Sequence, residues 1–371
     1  MKIIVNRVAL LQALQMAASI AQPRTPKPVL GCVKLAAVGK ELIVTATDME
    51  LALQYAITQV DIKAPGMALL NATKLLEIVN NSPDETLAIN TKEEKTDITG
   101  EDSQYRLLGF NPEEAPPISS FEGTPDFVLA AGNLKKLLDR SRFAAAREVT
   151  RYAINGVLVE RKGKKICLVA TDGHRLAQTR DELESAEGRD LSAVIPIKAI
   201  NLIERLLTDP EQNVALQFKE NKVFAQITSE LGVAATMSST LVEGTFPPYN
   251  DVIPKDCDKK AVLDREKFQS AVRRAATLSN EESKGVRLGF APGKLSISSR
   301  TAEVGEANID LAADYNGEAV DMGFNPAYIL DALKVGDETT VIFEFKSPNK
   351  PGLIKIGPNF QYVVMPVTLN S

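Results

Sequence analysis

Asp172, Gly173 and His174 lie together in the stretch Ala170–Ala177, with Cys167 just upstream. A carboxylate, an imidazole and a thiol this close in sequence could make an acid–base pair, or a nucleophile with its base. The spacing argues against both. Residues two apart share a face only in unbroken extended backbone. Asp-Gly signals a turn, because Gly tolerates positive φ and Asp bonds to nearby backbone. His174 is the chain's single histidine, and Cys32, Cys167 and Cys257 are far apart, which is no ligand set for a metal centre. Gly289–Leu295 approaches a phosphate loop but is one residue short and has no Ser or Thr after Lys294. These residues point away from catalysis and require neither a metal nor another cofactor.

The elements that carry the stretch are more informative. It follows Ile166–Val169, a short apolar run that reads as a buried strand. Ala46-Thr47-Asp48 follows Leu42–Val44 in the same way, 124 residues earlier, and Gln54 and Gln178 each stand six residues beyond their aspartate. A strand–turn–strand unit is used twice, which is the mark of a repeat. The order of elements repeats as well. Strand 2–5 leads to a helix over 7–20, with Val8, Leu11, Leu14 and Ala18 as its buried stripe. Short strands follow, then a helix over 72–80 and further strands. The second round has helices over 133–146, with Leu134, Leu137, Leu138 and Ser141 inward, and over 197–207 after Pro196. The third has helices over 265–278 and 326–334. Two linkers, Asn111–Gly123 and Phe246–Pro254, are rich in proline. The expectation is an α+β chain of three topologically similar domains, 1–121, 124–246 and 247–371, each with two helices that bury one stripe on sheet.

A chain of 371 residues suits two or three domains, and 25% charged with 44% hydrophobic residues describes a globular protein. Lys2 and Arg7 ahead of Val8–Ala21 have the outline of a leader, but Gln12 and Gln15 break that run at helical spacing. Cysteines odd in number, far apart and without metal-ligand spacing suit a reducing, cytoplasmic compartment. The net charge is −5, so affinity for nucleic acid would need a local basic face. Such faces are present: Lys135, Lys136, Arg140 and Arg142, then Arg147 and Arg151, on or near one helix; Lys267, Arg273 and Arg274 on another; Arg7, Lys74, Lys198 and Arg205 on the rest. Acidic residues gather instead in linkers and loops.

The chain resembles the bacterial β sliding clamps, the processivity subunits of DNA polymerase III. The matching residues are Arg151-Tyr152 with Asn155-Gly156, Ala170–Ala177, Phe246-Pro247 with Tyr249 and Val252–Pro254, Gly323–Asn325 with Tyr328, and Tyr362–Pro366. The resemblance implies three like domains with helices inside and antiparallel sheets outside, closed head to tail into a dimeric ring around duplex DNA at the replication fork. It implies a non-catalytic tether for the replicative polymerase, clamp-loader subunits, repair polymerases and other carriers of short clamp-binding peptides. Arg24, Lys74, Arg147, Arg151, Tyr152 and Lys198 would meet DNA without sequence preference. A pocket for apolar-ended peptides would use Thr171, Gly173, His174, Arg175 and Leu176 as one wall, with a ring nitrogen of His174 fixing the turn beside it. Ile154, Pro247, Val252, Val363, Met365 and Pro366 would supply apolar surface, with Asn325 and Tyr328 at the rim. Tyr105 and Leu107 of one subunit would meet Thr277 and Leu278 of the other. Thr73, Glu148, Ala153 and Asp251 depart from the family's pattern.

Geometry requires more than one copy. Helices pack about 10 Å apart, so six would enclose a bore of only about 9 Å, whereas twelve would leave about 28 Å. The second fits a duplex with a layer of water. The competing reading is a β-rich scaffold that binds peptides but never encircles DNA.

Overall fold

One element order runs through the chain three times. The structure, a computed structural model, describes residues 1–22, 24–146, 153–229, 232–279, 285–301 and 304–368. The first round is β1 (Lys2–Asn6), α1 (Arg7–Ala18), β2 (Cys32–Val38), β3 (Glu41–Thr47), β4 (Leu51–Ile57), β5 (Val60–Ala64), β6 (Gly66–Asn71), α2 (Ala72–Asn81), β7 (Thr86–Lys92), β8 (Lys95–Thr99) and β9 (Gln104–Leu108). The second is β10 (Phe127–Ala130), α3 (Ala131–Asp139), β11 (Gly156–Lys162), β12 (Lys165–Thr171), β13 (Arg175–Glu182), β14 (Leu191–Pro196), α4 (Ile197–Leu206), β15 (Asn213–Lys219), β16 (Lys222–Ser229) and β17 (Gly232–Thr240). The third is β18 (Lys259–Asp264), α5 (Arg265–Ala276), β19 (Val286–Ala291), β20 (Lys294–Thr301), β21 (Gly305–Ala312), β22 (Val320–Phe324), α6 (Pro326–Lys334), β23 (Thr340–Phe345), β24 (Gly352–Ile356) and β25 (Phe360–Val364).

Strands run straight into helices through a capping residue. Asn6, Asn71, Asp264 and Asn325 each turn a side-chain oxygen onto a backbone N–H of the first helical turn, at 2.9–3.0 Å.

Two compact units result. Met1–Leu134 with Lys198–Leu241 holds a five-stranded sheet, β5-β1-β7-β8-β9, and an eight-stranded one, β10-β15-β16-β17-β4-β3-β2-β6. Lys135–Ile197 with Val242–Ser371 holds the eight strands β14-β11-β12-β13-β25-β24-β23-β18 and the four strands β21-β20-β19-β22. The units cut across the linkers because each eight-stranded sheet joins strands of two successive rounds. In the first, β17 pairs antiparallel with β4, Leu51 opposite Ser239. In the second, β25 pairs with β13, Arg175 opposite Val364. These pairings are equivalent under the repeat. The remaining strands of the same two series, β9 and β21, are both sheet edges.

Two details differ from the sequence reading. The buried residues of α1 are Ala9, Leu10, Ala13, Leu14 and Ala17, while Val8 is exposed. This helix carries apolar residues around most of its circumference, so periodicity alone does not select the face, and the small alanines are what fit against the sheet. The helix expected over 133–146 stops at Asp139 and gives way to a 3-10 turn at Arg142–Ala144. Ser141 Oγ donates back to Leu137 O at 2.8 Å, a side-chain bond that competes with helical continuation. Leu134, Leu137, Leu138 and Ser141 are nonetheless buried as expected.

The repeated Ala-Thr-Asp stretch forms the same turn twice. Thr171 Oγ1 donates to Arg175 O and accepts from Gly173 N; Asp172 Oδ1 accepts from His174 N and Arg175 N. Thr47 Oγ1 donates to Leu51 O and accepts from Met49 N; Asp48 Oδ1 accepts from Glu50 N and Leu51 N. The turn demands a left-handed residue at its centre: Gly173 has φ +88° and Met49 has φ +79°. Methionine is strained there by roughly 1 kcal/mol, and its side chain is 61% exposed, so it gains little packing in return. Met49→Gly is therefore expected to raise stability by up to about 0.5 kcal/mol after allowing for glycine's freedom in the unfolded chain. Urea unfolding would register this as a higher midpoint at unchanged slope; a lower midpoint would mean that the Met49 side chain makes a stabilising contact.

Candidate functional site

The 171–175 turn ends β12 and opens β13, and the β13–β25 pairing brings the C-terminal strand beside it. Leu176 then lies opposite Val363, and Met365 N donates to His174 O at 2.9 Å. Beneath the turn, Leu158, Val169, Leu176, Val194, Leu353 and Val363 form a buried apolar cluster. Phe246, Tyr249 and Ile253 pack on it from the 246–254 segment, half-buried, with Cys167 and Val242. Tyr249 donates to Glu160 Oε2 at 2.5 Å, and burial together with that carboxylate holds its phenol well above the usual range.

Arg175 organises the rim. It is 9% exposed. Its Nε donates to Asp172 Oδ2 at 3.0 Å, its Nη1 to Asp331 Oδ2 at 2.5 Å, and its Nη2 to Phe143 O at 2.8 Å. The guanidinium lies over the Tyr328 ring, 4.4 Å from its centroid, and the His174 ring stacks on Tyr328 at 6.5 Å and 21°.

The structure thus gathers the expected pocket residues within one compact unit. Thr171, Gly173, His174, Arg175 and Leu176 are the turn and its wall. Leu176 and Val363 are fully buried and serve as floor, and Ile154 is buried too. The apolar surface actually presented is Val252 and Met365, both exposed, with Pro247 and Pro366 half-buried. Asn325 caps α6. Pro366 also borders a cleft of about 490 Å³ with Arg287, Asp321, Met322 and Asn349. One expectation is corrected. No ring nitrogen of His174 is needed to fix the turn, because Thr171 and Asp172 do so. With both Asp172 oxygens engaged on backbone N–H groups and on Arg175, the Asp172–His174 acid–base pair has no carboxylate to spare. Burial raises the Cys167 thiol and pushes the Cys32 thiol up to about 11, so neither is poised as a nucleophile.

Sequence reasoning missed Asp331, Phe143, Glu160 and the contact role of Tyr249. Asp331 stands one helical turn beyond Tyr328 on α6, a spacing that puts both on one face, and that signal was available.

The basic residues sort differently. Lys74 on α2 is exposed and ion-paired with Glu77 at 2.9 Å. Lys198 on α4 is exposed and reaches the buried Asp48 Oδ2 at 3.2 Å. Arg24 is exposed between α1 and β2. Arg147, Arg151 and Tyr152 lie outside the described residues. Arg140, expected on an open basic face, is buried against Asp337 and Val335 O. Lys136 joins the same Asp337 at 2.7 Å, so that face is partly neutralised. Tyr105 and Leu107 lie on the edge strand β9, Tyr105 exposed and Leu107 half-buried; the adjoining Leu108, not anticipated, is 72% exposed. Thr277 and Leu278 follow α5, and Leu278 O accepts from Thr301 Oγ1 at 2.8 Å.

Comparison with known proteins agrees across the whole length. Family models for the N-terminal, central and C-terminal domains of the DNA polymerase III beta subunit match residues 1–119, 128–248 and 250–368. The beta sliding clamp of Pseudomonas aeruginosa is 34% identical over 368 residues, covering 98% of this chain and 99% of the relative. That of Caulobacter vibrioides is 33% identical over 379 residues, covering 99% and 100%. Among solved structures, the Pseudomonas aeruginosa sliding clamp bound to griselimycin superposes with a TM-score of 0.92 at 33% identity, covering 100% of both chains. The Bacillus subtilis sliding clamp superposes at 0.93 and 26%, also covering 100% of both. An α+β fold repeated three times, a twice-used sheet junction and full-length likeness to these proteins lead to one assignment: the chain belongs to the bacterial beta sliding clamp family, the beta subunits of DNA polymerase III, and is a DNA sliding clamp.

Proposed function

We propose that two copies of this chain close head to tail into a ring around duplex DNA, and that the pocket beside the 171–175 turn holds short, apolar-ended peptides of replication and repair proteins. The observation that carries the ring is the repeated junction. β4 takes β17, and β13 takes β25. The third acceptor, β21, and the first donor, β9, are left as open edges of the same kind. An unpaired edge invites a strand, and a head-to-tail contact that closes makes a ring. Pairing β9 of one copy with β21 of the next repeats the junction already used twice, and it brings Tyr105, Leu107 and Leu108 towards Thr277 and Leu278. The domains within each copy run 1–121, 124–246 and 247–371.

Inside the ring the chemistry is nonspecific. Arg24, Lys74, Arg147, Arg151, Tyr152 and Lys198 attract phosphates without reading bases, and the ion pairs at Lys74 and Lys198 keep each contact weak. Retention comes from topology. The protein works without catalysis, in the cytoplasm, as a tether for the polymerase, the clamp loader and repair polymerases. Three free cysteines suit that compartment, and no helix among the described residues is long and apolar enough to cross a membrane.

Loading onto nicked circular DNA tests the ring against a peptide-binding scaffold: the clamp should stay on circles through a high-salt wash and leave once they are cut, whereas salt release from intact circles would favour the scaffold. Leu278→Asp should give monomers in sedimentation at low concentration, because an unpaired charge at a closed interface costs several kcal/mol; a persistent dimer would move the interface elsewhere. Arg24→Glu with Lys198→Glu should weaken loading and lower the salt slope of DNA binding by about one unit per lost phosphate contact, leaving the dimer intact. An unchanged slope would remove these two residues from the DNA face.

A further inference from the structure

Arg175 stands in the wall of the pocket, 9% exposed. Each of its three nitrogens already donates, to Asp172, Asp331 or Phe143 O, so three of its five N–H groups are committed within the protein and not to a peptide. What it does instead is carry the Tyr328 ring, on which His174 stacks. The two carboxylates that hold it are not equivalent. Asp172 belongs to the same turn and fixes Arg175 only relative to itself. Asp331 comes from α6, the helix that also bears Tyr328, and is the charged tie between turn and helix.

The first round supplies an internal control. Its turn, 47–51, has the same hydrogen bonds, yet the position of Arg175 is occupied by Leu51. The second oxygen of Asp48 goes to Lys198 instead. Among the described residues, the turn therefore folds with a leucine in place of the arginine and with a lysine, not an acid, as its partner on the neighbouring helix. Between the two turns, the arginine, its tie to an acid on the helix and the aromatic stack are found in the 171–175 copy, and the shared turn does not require them.

We propose that Asp331 is a positioning residue for peptide capture: by anchoring the Arg175 guanidinium to α6 it sets the Arg175–Tyr328–His174 stack that forms one rim of the pocket. The proposal rests on the peptide-binding reading given above. A rim held in place before the peptide arrives spares the ordering that binding would otherwise require. Without the anchor, Arg175 stays with Asp172 and Phe143 O, but Tyr328 and His174 lose their common support.

The test uses the full-length clamp, a fluorescent peptide ending in Leu-Phe, and fluorotyrosine incorporation, with the Tyr328 fluorine signal assigned by Tyr328→Phe. In the unmodified sequence the peptide should shift the Tyr328 signal. Asp331→Asn, isosteric and uncharged, should shift that signal before any peptide is added and weaken peptide binding by about ten-fold. Dimer mass, melting temperature and retention on circular DNA should be unchanged. Arg175→Lys should cost a similar factor, and the double variant little more than either alone, since both remove one interaction. Peptide affinity for Asp331→Asn within about two-fold of the unmodified clamp, or additive losses in the double variant, would overturn the proposal while leaving the pocket standing. A peptide that binds without moving the Tyr328 signal in the unmodified clamp would overturn the pocket reading, and the proposal with it.

Discussion

An antiparallel sheet cannot end cheaply in the middle of a protein. Each edge strand leaves backbone N–H and C=O groups that need partners, and the partner available sets the architecture. This chain meets the constraint by giving the last strand of each later round to the hairpin of the round before. Leu51 opposite Ser239 and Arg175 opposite Val364 are two instances of one solution. The turn at the start of the receiving strand is part of that solution. Its Thr and Asp hold positive φ at the centre, and its carbonyl at Glu50 or His174 accepts from the backbone of the incoming strand, at Thr240 or Met365. A structural joint and the rim of a binding pocket are thus the same piece of backbone.

The two joints have diverged in charge. In the first, the turn contributes the acid and α4 the lysine, Asp48 to Lys198. In the second, the turn contributes the arginine and α6 the acid, Arg175 to Asp331. The polarity is reversed, but each pair still ties turn to helix. The first pair has its lysine in water, where a surface ion pair contributes little. In the second, the Arg175 guanidinium is buried between Phe143 and Tyr328 while Asp331 is 43% exposed, so each pair sets one buried charge against one that water reaches.

Much of this was legible in the sequence because it is local. The Thr-Asp turn uses bonds that span two to four residues, so the echo of Ala46–Asp48 in Ala170–Asp172 was enough to find it. Helices and most strands followed from periodicity and from the positions of prolines. Pairings between rounds left no local trace: nothing in Leu51–Ile57 names β17 as its neighbour. The end of α3 was hidden because Leu134 to Ser141 keep helical spacing past the point where the helix stops. Arg140 looked like a solvent-facing cation because its partner, Asp337, lies in another round. The pocket residues came from resemblance, and the structure separates those that present surface, such as Met365 and Val252, from those that underlie it, such as Leu176 and Val363.

The fused sheets also govern how the molecule comes apart. Local opening follows cooperative hydrogen-bonded units, and here those units straddle the linkers. A fragment severed near residue 122 would carry β4 with its β17 partner removed, a long strand edge open to solvent and ready to template pairing with another chain. Amide exchange in the intact protein would accordingly report protection shared across β17 and β4, and across β25 and β13, with no break at the boundaries that the chain's own repetition suggests. The order of elements repeats in thirds, but the hydrogen-bonded sheets do not divide where the repeats do.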